Sequence, residues 1–411
     1  SMMRITELCN AHREKNAAFY TNKFIVNEIM GQLPTFSKNE IRILEPSVGA
    51  GSFVPFLFKL YENVPHVILD VVDIDQESLE AFDLLLNKIG IAHNFTVNRI
   101  CHDFLTWKPA YRYDLAIANP PFSKLKKKTP EITEATKDNR NQTTNNLAAL
   151  FLEKCMRCSD CVALVLNKNI LSTDEYSETR NLLRTVKIES IVDFGRYGFT
   201  GVSIETMCMV VYPRQKPKET TVYSMKYNKK YIHNQDYITD ETYPSFLIYR
   251  DEQFDTVAKK LNFDVFSVFR DRQITKSITT STRNDDCLWV IKARNINDDG
   301  MGVTHIPNYD VFLPKQLVQT VSVSRFVNDD SVYLTPNMTY NPRVIDNLPI
   351  PDGSVAVLIP KKPMKLTTRQ KAFFSSEEYR RFYGIARNLS TQSINVDNNS
   401  VFYYGVLRDE Q

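Results

Sequence analysis

The sequence lacks long apolar runs. None of its hydrophobic stretches approaches the roughly 20 residues that cross a membrane, and the first residues, SMMRITELCNAHREKN, hold no apolar core of the kind a signal peptide needs. We therefore expect no membrane association and a cytoplasmic location. Cysteine is also sparse: seven residues in a chain of 411, an odd number, favour reduced thiols over a framework of disulfides.

A strong net charge is missing as well. The formal net charge is +3, so net charge does not identify a nucleic-acid partner, and any basic surface must come from local clustering. What the chain does have is an ordinary globular composition, with 43% hydrophobic and 24% charged residues. Its length suggests two or three domains.

Short apolar runs alternate with segments of helical period from about Ile41 to Val211. IRILEP, HVILDVVDID and YDLAIANPP have strand character, whereas SLEAFDLLLNKIG and NLAALFLEKCM have apolar residues near the helical period. This order predicts parallel strands joined by crossover helices, and hence a doubly wound α/β domain over residues 1–214. The polar stretch RQKPKETT then predicts a linker, and shorter β-rich pieces predict a second, mixed α+β domain over residues 215–411.

Polar residues follow three of the predicted strands, where a doubly wound sheet binds its ligands. The stretch ILEPSVGAGSF brings an acid and two glycines to the first strand end, and acids follow the next two strands in DVVDID and HDFLTW. Asp73 lies 22 residues beyond Gly51, a spacing that suits ribose hydroxyls, and Asp103 with Phe104 could hold an adenine. A carboxylate at Glu45 would repel a pyrophosphate but suit an ammonium group, which favours S-adenosylmethionine over NAD.

In this order and spacing, ILEPSVGAGSF, DVVDID, HDFLTW and NPPF resemble the motifs of S-adenosylmethionine-dependent DNA adenine-N6 methyltransferases of the restriction-modification type. The motif order is that of the gamma class, with the target-recognition domain last. The resemblance covers residues 15 to 212 and implies a seven-stranded, Rossmann-like methyltransferase sheet. It also implies that the cofactor contacts Tyr20, Thr21, Glu45, Pro46, Ser47, Gly49, Gly51, Phe53, Asp73, Ile74, Asp103, Phe104 and Asn119. Asn22 stands where this class commonly has a proline.

The stretch DLAIANPPF ends an apolar strand in a stiff loop, because proline cannot donate to a sheet ladder. An exocyclic amino nitrogen of a base is a poor nucleophile, and the Asn119 side-chain oxygen with the Pro120 carbonyl could accept its two hydrogens. The target base must be flipped out of the duplex to reach them. We therefore predict that Asn119, Pro120, Pro121 and Phe122 are catalytic, with Phe122, and Phe199 by resemblance, stacking on the base.

Four lysines follow the catalytic loop in the polar segment Ser123 to Asn146, which we expect to be a mobile loop. Such charges usually form a solvated face, but their position favours phosphate contacts with double-stranded DNA by Lys124, Lys126, Lys127 and Lys128. In the second domain, Arg294, Arg343 and Arg387 are candidates for base contacts. The run CMRCSDC lacks a suitably spaced fourth cysteine, so we predict no metal site.

Other activities fit parts of this pattern. A glutamine-N5 methyltransferase of release factors or a guanine-N2 methyltransferase of ribosomal RNA would use a similar loop, but the large β-rich second half argues against both. Cytosine N4 is a possible alternative target, since the loop chemistry is the same. A binding-only specificity protein is opposed by the intact Glu45, Asp73, Asp103 and NPPF. A separately encoded restriction endonuclease is a candidate partner.

Overall fold

The computed structural model describes residues 23–196, 204–391 and 395–408, which fall into two compact units. The first comprises Ser1–Leu171 and Glu175–Asp240, and the second comprises Ser172–Asp174 and Glu241–Gln411. Within these described ranges no helix is both long enough and apolar enough to cross a membrane.

The first unit is built on one large sheet with helices between its strands. Its strands are β1 (Glu40–Pro46), β2 (His66–Asp73), β3 (Phe95–Cys101), β4 (Tyr113–Ala118), β5 (Ser159–Asn167), β6 (Lys187–Gly195), β7 (Thr206–Tyr212), β8 (Glu219–Ser224) and β9 (Lys229–Asn234). Its helices are α1 (Lys23–Met30), α2 (Val54–Leu60), α3 (Gln76–Ile89), α4 (Pro130–Ala135), α5 (Leu147–Cys158), α6 (Ser177–Arg184) and α7 (Gln235–Ile238).

The strand order in the described part of this sheet is β3-β2-β1-β4-β5-β7-β6-β8-β9. Neighbours from β3 to β5 are parallel, and β7 runs antiparallel between β5 and β6. The doubly wound, mostly parallel α/β fold predicted from the sequence is therefore confirmed. Strand β4, YDLAIA, is a nearly continuous apolar run with five of its six residues buried, as is typical of a parallel strand inside such a sheet.

The sheet has nine strands where seven were expected, because β8 pairs in parallel with β6 and β9 pairs with β8. The stretch RQKPKETT was predicted to be a linker between domains. In the structure it leads into β8 of the same sheet, and the division between the compact units falls after Asp240, not after residue 214.

Among its described residues, the second unit contains smaller sheets and three short α-helices. Its helices are α8 (Glu252–Lys259), α9 (Thr368–Phe374) and α10 (Glu377–Ala386). Its strands are β10 (Leu261–Asn262), β11 (Phe266–Phe269), β12 (Cys287–Ile291), β13 (Val311–Pro314), β14 (Tyr333–Pro336), β15 (Ile345–Asp346), β16 (Ile350–Pro351), β17 (Val355–Pro360) and β18 (Val406–Leu407). Among the described residues they form the sheets β11-β17-β14-β15, β13-β12-β16 and β10-β18, the mixed α+β pattern expected.

Candidate active site

The carboxyl ends of four adjacent strands, β3, β2, β1 and β4, meet at one edge of the large sheet. A cavity of about 470 Å³ lies there. Its lining includes these predicted site residues: Glu45, Pro46, Ser47, Gly49, Phe53, Asp73, Ile74, Asp103, Phe104, Asn119, Pro120 and Pro121. Residues from separate parts of the chain are thus brought into a single site.

The turn after β1 is tied to the end of β2 through Asp73. The Gly49 N–H donates to one Asp73 carboxylate oxygen over 2.9 Å, and the Asp75 N–H donates to the other over 3.0 Å. Gly49 has a φ of +53°, and a Cβ there would meet no atom within 4 Å, so its backbone is open to a ligand. Because a carboxylate has about four acceptor positions, Asp73 retains capacity for a ligand hydroxyl.

Gly51 has a different role from the one predicted. It is absent from the cavity lining, and a Cβ at this position would lie 2.5 Å from the Phe82 ring of α3. With a φ of +77°, the position favours glycine for its backbone as well as for its close packing. Gly51 therefore fixes the turn against α3, and only Gly49 of the pair faces the cavity.

Glu45 is a buried acid on the cavity wall. Only 1% of it is exposed, and its Oε2 atom has no hydrogen-bond partner among the described residues. Burial, and secondarily the neighbouring Asp73 carboxylate, raises the pKa of Glu45 well above its ordinary value. A buried acceptor without a partner is costly, so this site is suited to a cationic or N–H-bearing ligand group.

Apolar residues also line the cavity. Ile74 is 71% exposed although it lines the cavity, and a flat apolar ligand group could cover it. Phe104 is buried, and its ring centroid lies 4.9 Å from that of Phe151 on α5. The Asp103 side chain accepts a hydrogen bond from the Leu105 N–H over 2.9 Å, which shapes the turn after β3.

The loop after β4 enters the same cavity. Pro120 is buried and Asn119 half-buried, and the Ser47 hydroxyl lies 3.4 Å from the Asn119 carbonyl oxygen. This contact joins the loop to the turn after β1. Phe122 does not line the cavity, because its half-buried ring packs against the hydrophobic core of the unit.

The segment after this loop is structured, contrary to the expectation of a mobile loop. It contains α4, which Thr129 caps at the N-terminus, and residues 123–125 pair with residues 145–147. Four apolar residues of this segment and of α5 also line the cavity and were not predicted from the sequence: Leu125, Ile132, Leu147 and Phe151. The helical period of NLAALFLEKCM was visible, but the surface it would face was not.

The four lysines of this segment divide into two pairs. Lys124 forms an ion pair of 2.6 Å with Glu175, and the Lys128 Nζ donates to the Gln142 carbonyl over 3.1 Å. Lys126 and Lys127 are exposed and form no ion pair with any described residue.

Three predicted residues, Tyr20, Thr21 and Phe199, lie outside the described residues.

Cys155 and Cys161 are buried, and burial raises the pKa of both thiols. Among the described residues no group of three or more His, Cys, Asp or Glu side chains is placed to hold a metal, and the six described cysteines are free thiols.

Two of the candidate base contacts in the second unit are structural. Arg343, which is 6% exposed, donates to the carbonyls of Ile296 (2.9 Å) and Asn341 (2.8 Å). Arg387, which is 7% exposed, donates to the Asn395 carbonyl over 3.0 Å. Burial makes both unavailable to a base, so their prediction was wrong. Arg294 is exposed, with its guanidinium carbon 4.8 Å from the centroid of the Tyr309 ring.

Part of the chain matches a known protein family. Residues 61–199 match the model of the Eco57I restriction-modification methylase family. Over 216 residues the chain is also 28% identical to the Type II methyltransferase M.CvrRI of Paramecium bursaria Chlorella virus XZ-6E. The predicted resemblance to restriction-modification methyltransferases is thereby confirmed. The aligned part is 50% of this chain and spans about half, 51%, of that relative.

Solved structures with a related arrangement include two restriction-modification proteins. The type IIG restriction endonuclease BpuSI is 12% identical, with 98% of this chain and 60% of that chain covered and a TM-score of 0.48. The modification subunit of a putative type I restriction enzyme from Vibrio vulnificus YJ016 is 17% identical, with 54% of this chain and 50% of that chain covered and a TM-score of 0.44.

Proposed function

We propose that this protein is an S-adenosylmethionine-dependent DNA methyltransferase that modifies the exocyclic N6 amino group of adenine. The observation that carries the proposal is the presence of the loop Asn119-Pro120-Pro121 and the buried acid Glu45 in one cavity. The match of residues 61–199 to a restriction-modification methylase family supports it. We further propose that the protein is the modification enzyme of a restriction-modification system, with a separately encoded endonuclease as partner.

The cavity residues fit the chemical groups of the cofactor. The Glu45 Oε2 atom, buried without a partner among the described residues, would accept the ammonium of the amino-acid part. Asp73 would accept ribose hydroxyls, and Ile74 with Phe104 would enclose the adenine. When bound, the cofactor supplies a methyl group on a sulfonium centre.

Asn119 and Pro120 would act on the amino nitrogen. Its lone pair is delocalised into the base, and hydrogen bonds from the two N–H groups to the Asn119 side-chain oxygen and the Pro120 carbonyl favour a pyramidal nitrogen. Neither acceptor needs to be a strong base, because fixed dipoles stabilise the charge that develops at nitrogen. The contact of Ser47 with the Asn119 carbonyl keeps this loop beside the turn after β1, so that two reactants are held together.

A base inside a duplex cannot reach this loop, so the proposal requires base flipping. Phe122 and Phe199 remain proposals for stacking on the flipped base. Lys124, Lys126, Lys127 and Lys128 would contact phosphates of double-stranded DNA, and Lys126 and Lys127 are the better placed because they are exposed and form no described ion pair. We propose the second unit as the target-recognition domain. The cytoplasmic location stays a prediction from the sequence.

The test is modification-aware sequencing of DNA from a methylation-free host that expresses the protein. We expect N6-methyladenine in one fixed sequence context, abolished by Asn119→Ala and retained by Asn87→Ala, a matched change at an exposed position of α3. If the modified base were N4-methylcytosine instead, the target would be cytosine and the proposed adenine specificity would be wrong. Unmodified DNA beside methylated release factor or ribosomal RNA would overturn the proposal in favour of one of those substrates.

A further inference from the structure

Helix α5 carries two adjacent buried charges that the proposed chemistry does not use. Glu153 is 3% exposed and Lys154 is 9% exposed. Successive residues of a helix point about 100° apart, so the two side chains reach different parts of the structure. Buried charges are retained only where they find partners, which makes the identity of those partners informative.

The partners of Lys154 all belong to the turn after β3. Its Nζ donates to the Leu105 carbonyl over 2.9 Å and also to the carbonyls of Phe104 and Trp107. The same ammonium lies 4.8 Å from the centroid of the Phe104 ring. An ammonium has three donors, and here all three are matched by backbone acceptors of one turn.

The partners of Glu153 belong to a different segment. One carboxylate oxygen accepts from the Arg140 N–H over 2.6 Å, and the other accepts from the Asn141 N–H over 3.0 Å. Both lie in the connection between α4 and α5. Neither Arg140 nor Asn141 lines the cavity.

The turn held by Lys154 is the one that presents Asp103, Phe104 and Leu105 to the cavity. Within the turn, the Thr106 and Trp107 N–H groups both donate to the Asp103 carbonyl. The carbonyls of Phe104, Leu105 and Trp107 are instead held by Lys154, a side chain 50 residues away from Phe104 in the chain. Lys154 therefore joins this turn to α5.

We propose that Lys154 is a positioning residue for the cofactor: by holding three carbonyls of the turn after β3, it sets the pocket for the adenine. The inference rests on the proposed function, because it assigns the turn to the cofactor. The competing explanation is that Lys154 only stabilises the fold.

The test uses methylthioadenosine, which carries the adenine and ribose of the cofactor but not its amino-acid part. Lys154→Met keeps the apolar stem and removes the three donors, so we expect about tenfold weaker binding by calorimetry. Lys154→Arg keeps the charge and should restore part of the affinity. In turnover, the KM for S-adenosylmethionine should rise more than kcat falls.

Glu153→Gln is the matched control. It weakens a buried anchor on the same helix, but the two residues that Glu153 holds, Arg140 and Asn141, do not line the cavity, so methylthioadenosine affinity should change by less than about twofold. A folded Lys154→Met protein that binds methylthioadenosine normally would overturn the inference. So would an equal loss of affinity in both variants, since that is the result of general destabilisation.

A second measurement needs no variant. Burial lowers the pKa of Lys154 to about 8, with Cys155, Cys158, Arg157 and Asp103 as the other ionisable groups around it. Burial raises the pKa of both cysteine thiols. We expect methylthioadenosine to bind more weakly at about pH 9.5 than at about pH 7, because the neutral amine has one donor fewer. A flat profile would contradict the proposal even if Lys154→Met failed to fold.

These outcomes also separate the two proposals. If the unmodified protein bound neither methylthioadenosine nor S-adenosylhomocysteine, the proposed function would fail. If the unmodified protein bound both ligands, and Lys154→Met bound each of them as tightly as the unmodified protein does, only the proposed role of Lys154 would be wrong.

Discussion

In the first unit, the polar residues Glu45, Asp73 and Asn119 stand at the ends of neighbouring strands and line one cavity. In the second unit, Arg343 and Arg387 lie in connections and donate to backbone carbonyls of the same unit. Both sets looked functional in the sequence. The difference is topological: the parallel strands of the first unit bring side chains to a shared edge, whereas the arginines of the second unit stabilise its loops.

The largest expected effect is on the stability of the second unit. Arg343→Met removes four hydrogen bonds and leaves the carbonyls of Ala293, Ile296 and Asn341 without this partner. We expect a loss of about 3 kcal/mol in the free energy of unfolding, since each abandoned buried acceptor costs roughly 1 kcal/mol or more. Chemical denaturation followed by circular dichroism would measure it.

The control for this experiment is Arg294→Met, the same change at an exposed position. Its unfolding free energy should shift by less than about 0.5 kcal/mol. A different result would contradict this structural role. If Arg343→Met were as stable as the unmodified protein but bound DNA less well, Arg343 would be a candidate base contact again, and the difference between the two units would not hold.

The next effect is on ligand affinity in the first unit. Glu45→Gln should weaken S-adenosylhomocysteine binding by about 30-fold, equivalent to about 2 kcal/mol, because a charge-assisted hydrogen bond to the ligand ammonium is lost. Methylthioadenosine, which lacks that ammonium, should bind both proteins similarly. Calorimetry with the two ligands makes the comparison, and an equal loss for both would show that Glu45 does not contact the amino-acid part.

The same variant should not lose stability, in contrast to Arg343→Met. The pKa of Glu45 is raised in the folded protein, so the stability this group contributes is present at low pH and is lost as the pH rises through the raised value. Without ligand, Glu45→Gln should therefore equal the unmodified protein at low pH and be more stable than it at high pH. A variant less stable at high pH would mean that the carboxylate has an unrecognised partner.

The site residues at the strand ends could be predicted because their location depends only on local sequence and on one rule of sheet topology. Apolar runs of the right length indicate strands, and parallel pairing requires their carboxyl ends to meet at one edge. Asp73 and Asp103 could therefore be assigned to one site before any distance was known. Gly51 could not be distinguished from Gly49, because its packing against Phe82 depends on the position of α3.

Long-range packing explains the remaining errors. The segment Ser123 to Asn146 is almost wholly polar. Its backbone nevertheless donates hydrogen bonds to Glu153, which follows it in the chain, and its apolar residue Ile132 lines the cavity. The stretch RQKPKETT has the composition of a linker, but its last three residues begin β8, which pairs with β6. Composition alone could not reveal either partner.

The smallest expected effect concerns the four lysines for which we propose contacts with DNA phosphates. Each phosphate contact contributes about 0.9 to the slope of log affinity against log salt, so Lys126→Ala with Lys127→Ala should lower that slope by about 1.8 and weaken DNA binding roughly fivefold. Lys124→Ala with Lys128→Ala should change both less, because Glu175 and the Gln142 carbonyl already engage these ammonium groups. Binding titrations at several salt concentrations make the comparison. If the two double variants had equal effects, the ion pair between Lys124 and Glu175 would have to break when DNA binds. If replacing all four lysines had no effect, this segment would not contact DNA.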